Sequence, residues 1–354
     1  MTRPFHALPT LLALMMTAAL FGCSDPSGDE QRTRLAGHVF GTFYEVTIAA
    51  APEELDTDAL KEGITEALDI VDQQMSTYRE DSDLNRLNQA GTGEWVSLPE
   101  ETVYVLTHSE TVARETDGAF DVTVGGLVNL WTFGPEGRPR EAPTEDEIEQ
   151  RLATVGYQQL EIDAENLRAR RHNEFFVDLS GVAKGYAVDR VAAYLRDQGF
   201  DNFLVNIGGD MIASGQRARD QSWRIGVEVP EDGRQQMAHL VLPLDDISLA
   251  TSGDYRNYFE EDGQRYSHTI DPRTGKPVEH RLASVSVFHP SNTLADAYAT
   301  GLMVMGEDRA LEFARERDLA VILIDRHQGE FRTRVSPALE ALFEPRWLEE
   351  ILDH

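Results

Sequence analysis

The sequence predicts an α+β fold, in which helices and sheets are mixed. Residues 60–75 carry apolar side chains at every third or fourth position, which is the pattern of one face of a long helix. Residues 203–207 form a short apolar run that ends at a glycine pair, which indicates a buried strand. Because helical and strand-like segments do not alternate as regular βαβ units, we expect an α+β rather than a doubly wound fold.

The predicted elements follow each other along most of the chain. A strand-like segment at residues 37–50 precedes the long helix. Ser97 with Glu100, and Thr144 with Glu147, have the spacing of capping boxes and predict the starts of two further helices. Apolar patterns predict the remaining strands near residues 159–163, 174–178, 203–207, 223–229, 238–243, 282–288 and 319–324, and the remaining helices near 183–197, 293–305 and 309–317.

The first residues have the features of a bacterial lipoprotein signal peptide. Arg3 gives a basic start, and the apolar run at residues 11–21 is too short to cross a bilayer, which needs about 20 apolar residues. Cys23, the one cysteine in the sequence, follows this run directly. We therefore predict a signal peptide over residues 1–22, a lipid on Cys23 and a polar tether over 23–36. The alternative is a plain signal peptide followed by an unmodified cysteine.

Charge and missing motifs exclude several classes of function. The net charge is −30, from 32 basic and 62 acidic residues, whereas nucleic acid phosphates and anionic lipids require a basic face. We therefore expect no nucleic acid partner. The sequence also contains no Walker A loop, no G-x-S-x-G elbow, no H-E-x-x-H motif and no paired CxxC motif. The chemistry that remains is carried by oxygen ligands such as Asp, Thr and Ser.

Asp296 and Thr300 are metal candidates because of their spacing. They lie four residues apart in a predicted helix, so a carboxylate and a hydroxyl share one face. Hard oxygen donors suit Mg²⁺, which fills its other positions with water and substrate phosphate. The alternative is an Asp that is favourable near a helix N-terminus and a Thr that packs on the surface.

Other polar residues stand at turns. Residues 178–185 (DLSGVAKG) lead into a helix whose start favours an anion, although an ordinary strand-to-helix corner would look the same. Asp121 stands in a strand-like apolar run and needs a partner, either structural or a ligand. Tyr78 follows the long helix and could stack on a flat ring, although it could equally be an ordinary core or surface aromatic. His268 precedes an Asp-Pro turn and is a candidate general base, against the usual case of a solvent-facing histidine.

In their order along the chain, these segments resemble the successive motifs of the ApbE family. The resemblance runs from about residue 36 to 325 and includes the lipoprotein start. The matching segments are FGTFY (40–44), MSTY (75–78) with DSD (81–83), GAFDVTVG (118–125), DLSGVAKGY (178–186), VNIGGD (205–210), SLATSGDY (248–255), HTIDP (268–272) and ADAYAT (295–300).

The resemblance implies a fold, an activity and partners. It implies an ApbE-like, T-fold-like domain of mixed helices and antiparallel sheets over residues 37–345. The implied enzyme uses FAD and Mg²⁺ to attach FMN, through a phosphoester bond, to a Thr or Ser hydroxyl of another protein, and it releases AMP. The implied acceptors are membrane-bound respiratory flavoprotein subunits. A lipid anchor at Cys23 would then hold the enzyme on the periplasmic side of the inner membrane.

The resemblance also implies the site residues, position by position. The magnesium ligands fall on the Gly181 carbonyl, Asp296 and Thr300. His268 is the general base that we favour for the acceptor hydroxyl. The FAD contacts fall on Phe40, Tyr78, Ala119, Phe120, Asp121, Asp178, Lys184 and Ile270.

Three positions depart from the family pattern, and one of them separates the alternative functions. Phe40 replaces the usual Met, Lys184 stands where some members have Glu, and Ala299 replaces an Asp that some members carry beside the metal. One fewer carboxylate argues against a second metal and so against FAD hydrolysis, in which water replaces the acceptor. A lipoprotein that only stores or delivers FAD is the other alternative. Asp296 and Thr300 argue against it, because a carrier needs no metal at the bond that breaks.

Overall fold

The fold consists of antiparallel sheets and helices, as the sequence predicts. The computed structural model describes residues 32–52, 54–136, 141–228, 238–254, 258–261, 264–328 and 330–352. Its strands are β1 (Thr33–Val39), β2 (Thr42–Ile48), β3 (Val96–Ser97), β4 (Leu160–Asp163), β5 (Arg168–Arg171), β6 (Phe203–Ile207), β7 (Asp210–Ser214), β8 (Trp223–Glu228), β9 (Ala238–Leu244), β10 (Ser248–Gly253), β11 (Tyr258–Glu261), β12 (Gln264–Ser267), β13 (Ile270–Asp271), β14 (Lys276–Pro277), β15 (Leu282–His289), β16 (Ala320–His327) and β17 (Glu330–Val335). Its helices are α1 (Thr57–Met75), α2 (Asp83–Gln89), α3 (Glu100–Glu115), α4 (Gly125–Leu130), α5 (Glu145–Leu152), α6 (Ala183–Asp197), α7 (Asn292–Met305), α8 (Glu307–Glu316), α9 (Pro337–Leu342) and α10 (Pro345–Leu352).

An eight-stranded antiparallel sheet is the centre of the fold, in the order β1-β2-β6-β7-β10-β15-β16-β17. Its first strand begins at Thr33, and Leu35 is buried in the hydrophobic core. The tether predicted over residues 23–36 therefore extends too far towards the C-terminus. The predicted single strand at 37–50 is wrong as well. It is interrupted by a tight turn at Phe40 and Gly41, whose φ angles of 50° and 73° are left-handed.

Two apolar cores lie on opposite faces of this sheet. Helices α1, α3, α6, α7 and α8 contribute to the larger core, and β8, β9, α9 and α10 contribute to the smaller one. Strand β16 lies between the two cores: Leu323 packs in the larger core and Ile322 in the smaller core. Both faces of this strand are buried, which explains its continuous run of apolar residues. Ile351 of α10 is fully buried, so the packed structure extends beyond the predicted boundary at residue 345.

Two local predictions are wrong and one is confirmed. Thr144 and Glu147 form the predicted capping box of α5. Ser97 lies in β3 instead, and α3 starts after Pro99 without a side-chain cap. The strand predicted at 174–178 is wrong, since Phe176 makes only an isolated bridge to Val124 there. The partner of β4 is β5, whose sequence RARR has little apolar signal and whose arginines pair with acidic residues of β4.

The predicted signal peptide and Cys23 lie outside the described residues, so both remain predictions. Among the helices that the structure does describe, none has the length and apolar character needed to cross a membrane.

Helix α7 is the element that positions the site. It is buried along most of its length and packs against α6, β10 and β15. Ser291 caps its N-terminus, and Asp189 of α6 accepts hydrogen bonds from the Ser291 hydroxyl at 2.9 Å and the Asn292 amide at 2.8 Å. At Gly185, α6 approaches α7 so closely that a Cβ atom would lie 2.3 Å from the Asn292 carbonyl oxygen and 2.7 Å from the Asp296 Cβ. These contacts therefore fix the distance between α6 and α7 at this point.

Candidate active site

One cleft of about 390 Å³ collects nearly all the predicted site residues. Its walls come from chain segments far apart in sequence: α7, the start of α6, the loop before α4, strand β10 and the segment around β13. Phe40 is the exception, because it lies in the β1–β2 turn and lines a separate, shallow depression. The predicted residues that line the cleft are Tyr78, Ala119, Phe120, Asp121, Asp178, Gly181, Lys184, His268, Ile270, Asp296 and Thr300.

The predicted pairing of Asp296 and Thr300 on one helix face is confirmed, since both line the cleft from α7. The Thr300 hydroxyl donates to the Gly181 carbonyl oxygen at 3.3 Å and lies 3.4 Å from the Ser252 hydroxyl. Asp296 is 3 % exposed, and its Oδ2 accepts a hydrogen bond from the Gly185 amide at 2.9 Å. The spacing along α7 thus brings a carboxylate and a hydroxyl to one wall of the cleft, and the segment before α6 adds the Gly181 carbonyl.

Lys184 is the cationic neighbour of Asp296. Its Nζ lies 2.5 Å from Asp210 Oδ2 and 3.7 Å from Asp296 Oδ1. Burial alone would lower the pKa of the Lys184 ammonium, but the carboxylates of Asp210 and Asp296 outweigh burial and raise that pKa. The lysine is therefore charged at neutral pH.

Burial dominates the electrostatics of the acidic groups in the cleft. It raises the pKa of the Asp296 carboxyl, an effect that the Lys184 ammonium partly offsets. It also raises the pKa of Asp178, whose Oδ1 accepts a hydrogen bond from the Ser180 amide at 2.8 Å. Carboxylates placed in such surroundings are stabilised by any cation that enters the cleft.

Asp121 has the structural partners that its apolar setting requires. Its Oδ1 accepts hydrogen bonds from the amide and the hydroxyl of Thr123, at 2.8 and 2.7 Å, and its Oδ2 accepts one from the Tyr157 amide at 2.9 Å. The predicted strand around Asp121 is wrong, because residues 121–123 form a turn before α4. The Asp121 carboxylate stabilises the turn that forms this part of the cleft wall, and the side chain also lines the cleft.

The aromatic residues divide into buried and open ones. Phe120 is buried, whereas Tyr78 is 70 % exposed at the mouth of the cleft and its hydroxyl donates to the Phe133 carbonyl oxygen at 3.4 Å. The His268 ring meets the Phe133 ring edge-on, with centroids 6.2 Å apart. Tyr78 and His268 therefore both contact Phe133, and all three residues line the cleft.

The oxygen atoms beside α7 fit a magnesium ion better than a transition metal. In the described part of the chain, no group of three or more His, Cys, Asp or Glu residues could hold a metal. Asp296, Thr300 and the Gly181 carbonyl provide one charged and two neutral hard donors, a set small enough for an ion that keeps water and phosphate ligands. A side chain at 181 would lie 3.2 Å from the Thr300 hydroxyl, so glycine keeps this approach open. Ala299 is buried in the core and does not line the cleft.

Sequence reasoning missed several polar residues at this site. Asp210 belongs to the VNIGGD segment, but nothing in the spacing showed that it pairs with a lysine 26 residues away. Ser252 and Thr251 line the cleft from β10, where the sequence predicts no site residue. A sequence-based search could have found them only through the SLATSGDY segment that contains both.

Comparisons with known proteins agree with this geometry. The model of the ApbE family matches residues 40–323. A Vibrio cholerae protein named FAD:protein FMN transferase is 41 % identical over 330 residues, which cover 93 % of this chain and 97 % of that protein. A Haemophilus influenzae protein of the same name is 38 % identical over 346 residues, covering 95 % and 98 % of the two chains. The solved structure of the flavin transferase ApbE from Vibrio cholerae superposes with a TM-score of 0.81 at 39 % identity, and covers 88 % of this chain and 99 % of that chain.

The family match spans most of the chain, and its relatives align over nearly their full lengths. The segments predicted from resemblance also converge on one cleft. The chain therefore belongs to the ApbE family.

Proposed function

We propose that this protein transfers FMN from FAD to a Thr or Ser hydroxyl of another protein and releases AMP. The observation that carries the proposal is the convergence of eleven predicted residues, from segments spread between residues 78 and 300, on the cleft beside α7. Relatives with the name FAD:protein FMN transferase support it, because they cover nearly the whole chain. The cleft is open to solvent at Tyr78. A site that admits both a dinucleotide and a protein acceptor needs such an opening.

Magnesium is part of the proposal. Asp296, Thr300 and the Gly181 carbonyl would hold the ion, which would supply charge neutralisation for the pyrophosphate and for the departing AMP. Charge in the cleft supports a metal requirement: Asp121, Asp178 and Asp296 line it, and their carboxylates would repel a pyrophosphate. Among the described residues that line the cleft, Lys184 and His268 are the basic side chains.

The protein's own residues then have three tasks. Tyr78 and Phe120 contact the flat rings, and Lys184 faces the phosphates. The acceptor oxygen attacks the phosphorus of the FMN half, a new P–O bond forms, and the bond to the bridging oxygen breaks, so that AMP leaves with the electron pair. We assign to His268 the uptake of the acceptor's hydroxyl proton, because it lines the same cleft.

Location and partners belong to the same proposal. A lipid on Cys23 would anchor the protein to the periplasmic side of the inner membrane, with a tether that ends where β1 begins at Thr33. Membrane-bound respiratory flavoprotein subunits would be the acceptors.

The experiment measures AMP release and flavin attachment to an acceptor protein across a Mg²⁺ titration. Asp296→Ala should lower transfer by orders of magnitude, since the metal would lose its charged protein ligand, whereas Thr300→Ala should have a milder effect because water can replace a hydroxyl. Asp197→Ala, at the exposed end of α6, is the matched control and should behave as the wild type.

Three outcomes would contradict the proposal. AMP release that does not depend on the acceptor would indicate FAD hydrolysis. FAD binding without AMP would indicate a carrier. Near-normal transfer by folded Asp296→Ala at low Mg²⁺ would place the metal elsewhere.

A further inference from the structure

Asp210 is a buried carboxylate that the proposed reaction does not use. Its side chain is 2 % exposed, and its two oxygens have different partners. Oδ2 forms an ion pair with the Lys184 ammonium at 2.5 Å, and Oδ1 accepts a hydrogen bond from the Thr251 amide at 3.1 Å. Both carboxylate oxygens of Asp210 are therefore occupied, one by the Lys184 ammonium and one by the backbone of β10.

The backbone holds Asp210 in this position. It is the first residue of β7 and pairs with Ile207 across a two-residue turn, Gly208-Gly209. Both glycines have left-handed φ angles, 60° and 105°, as this kind of hairpin turn requires. The Gly209 amide donates to the Asn206 side chain at 3.0 Å, which fixes the turn further.

The ion pair between Lys184 and Asp210 affects how close the lysine ammonium comes to Asp296. Lys184 Nζ lies within ion-pair distance of both carboxylates, but it is 2.5 Å from Asp210 and 3.7 Å from Asp296. Without a negative charge at 210, Asp296 would be the nearest carboxylate to Lys184 among the described residues, and the flexible lysine side chain could move into direct contact with it. Asp296 is also the charged member of the proposed metal ligand set, so a direct lysine contact would compete with the metal.

We propose that Asp210 is a positioning residue that holds the Lys184 ammonium away from Asp296 and so keeps that carboxylate available to a divalent cation. This inference rests on the magnesium site proposed above. It predicts that the role of Asp210 is exercised through Lys184 and vanishes when the ammonium is removed.

The test is Mn²⁺ binding, measured by the loss of the free-ion electron paramagnetic resonance signal, on the full-length protein with saturating FAD and no acceptor. Asp210→Asn keeps the Thr251 hydrogen bond and removes the charge, and it should weaken Mn²⁺ binding about tenfold, in the range of couplings between neighbouring charged groups. In a Lys184→Met background, the same Asp210→Asn change should alter Mn²⁺ binding by less than about twofold.

Several results would overturn the inference. An Asp210→Asn protein with wild-type Mn²⁺ affinity would do so, and so would an equal loss in both backgrounds. The Lys184→Met single variant gives a second test, which does not depend on whether Asp210→Asn folds. Because Lys184 is also assigned to the FAD phosphates, this variant is measured without FAD as well. There it should leave Mn²⁺ binding unchanged or tighter, and weaker binding would overturn the inference.

A further variant separates this inference from the metal site on which it rests. Asp296→Ala should abolish most protein-dependent Mn²⁺ binding. If it does not, the proposed metal site fails. If it does and Asp210→Asn has no effect, only the role of Asp210 fails.

Discussion

Gly185→Ala tests the contact between α6 and α7 on which the site depends. The new Cβ would lie 2.3 Å from the Asn292 carbonyl oxygen and 2.7 Å from the Asp296 Cβ. Both distances are well inside van der Waals contact, and the nearest atom belongs to the backbone, so the two helices would have to separate. The Gly185 amide that donates to Asp296 at 2.9 Å would move with them.

Two opposing effects decide the magnitude. Alanine in a helix interior is more favourable than glycine by about 0.5–1 kcal/mol. Overpacking a core contact costs about 1–3 kcal/mol, and a misaligned hydrogen bond to a charged group costs about 1.5–3 kcal/mol more. The steric and hydrogen-bond effects are larger, so we expect a net loss of about 1.5–5.5 kcal/mol in the free energy of unfolding.

The assay is urea unfolding followed by circular dichroism, with Gly126→Ala as the matched control. Gly126 also lies in a helix, α4, but a Cβ there would come no closer than 3.7 Å to another heavy atom, the Arg151 guanidinium. The control should therefore unfold at or slightly above the wild-type urea midpoint. Our account of the α6–α7 contact is refuted if Gly185→Ala unfolds at the same midpoint as Gly126→Ala.

The remaining predictions concern FAD binding and the membrane anchor. Tyr78→Ala should weaken FAD binding, followed by flavin fluorescence quenching, roughly 3- to 10-fold through lost ring contact, with no change in the unfolding midpoint because Tyr78 is 70 % exposed. Asp121→Ala should weaken FAD binding and also lower the free energy of unfolding by about 1–3 kcal/mol, since the Thr123 and Tyr157 donors lose their acceptor; unchanged stability would show that the turn does not need the carboxylate. Cys23→Ala should move the protein from the membrane to the soluble periplasmic fraction, and continued membrane association of that variant would contradict the anchor.

Local sequence patterns predicted the helices and strands whose apolar side chains recur with a clear period or in a continuous run. The apolar periodicity of α1 and the buried run of β6 both appear in the structure with similar bounds. The failures have two causes. Strand β5 gives little apolar signal, and its arginines pair with acidic residues of β4. The segment around Asp121 does have a strand-like apolar signal, but in the structure it forms a turn, and Val124 makes only an isolated bridge to Phe176. In both cases contacts made with another segment of the fold override the local preference.

By itself the sequence determined the α+β fold class, the family resemblance and the sharing of one helix face by Asp296 and Thr300, because each depends on order or spacing along the chain. Only the tertiary structure decided that Phe40 stays outside the cleft and that Lys184 pairs with Asp210. Those outcomes depend on the positions of a β-turn and a hairpin relative to α6. An ion pair between side chains 26 residues apart leaves no periodic trace in the sequence, since its geometry exists only once the sheet and helices have packed.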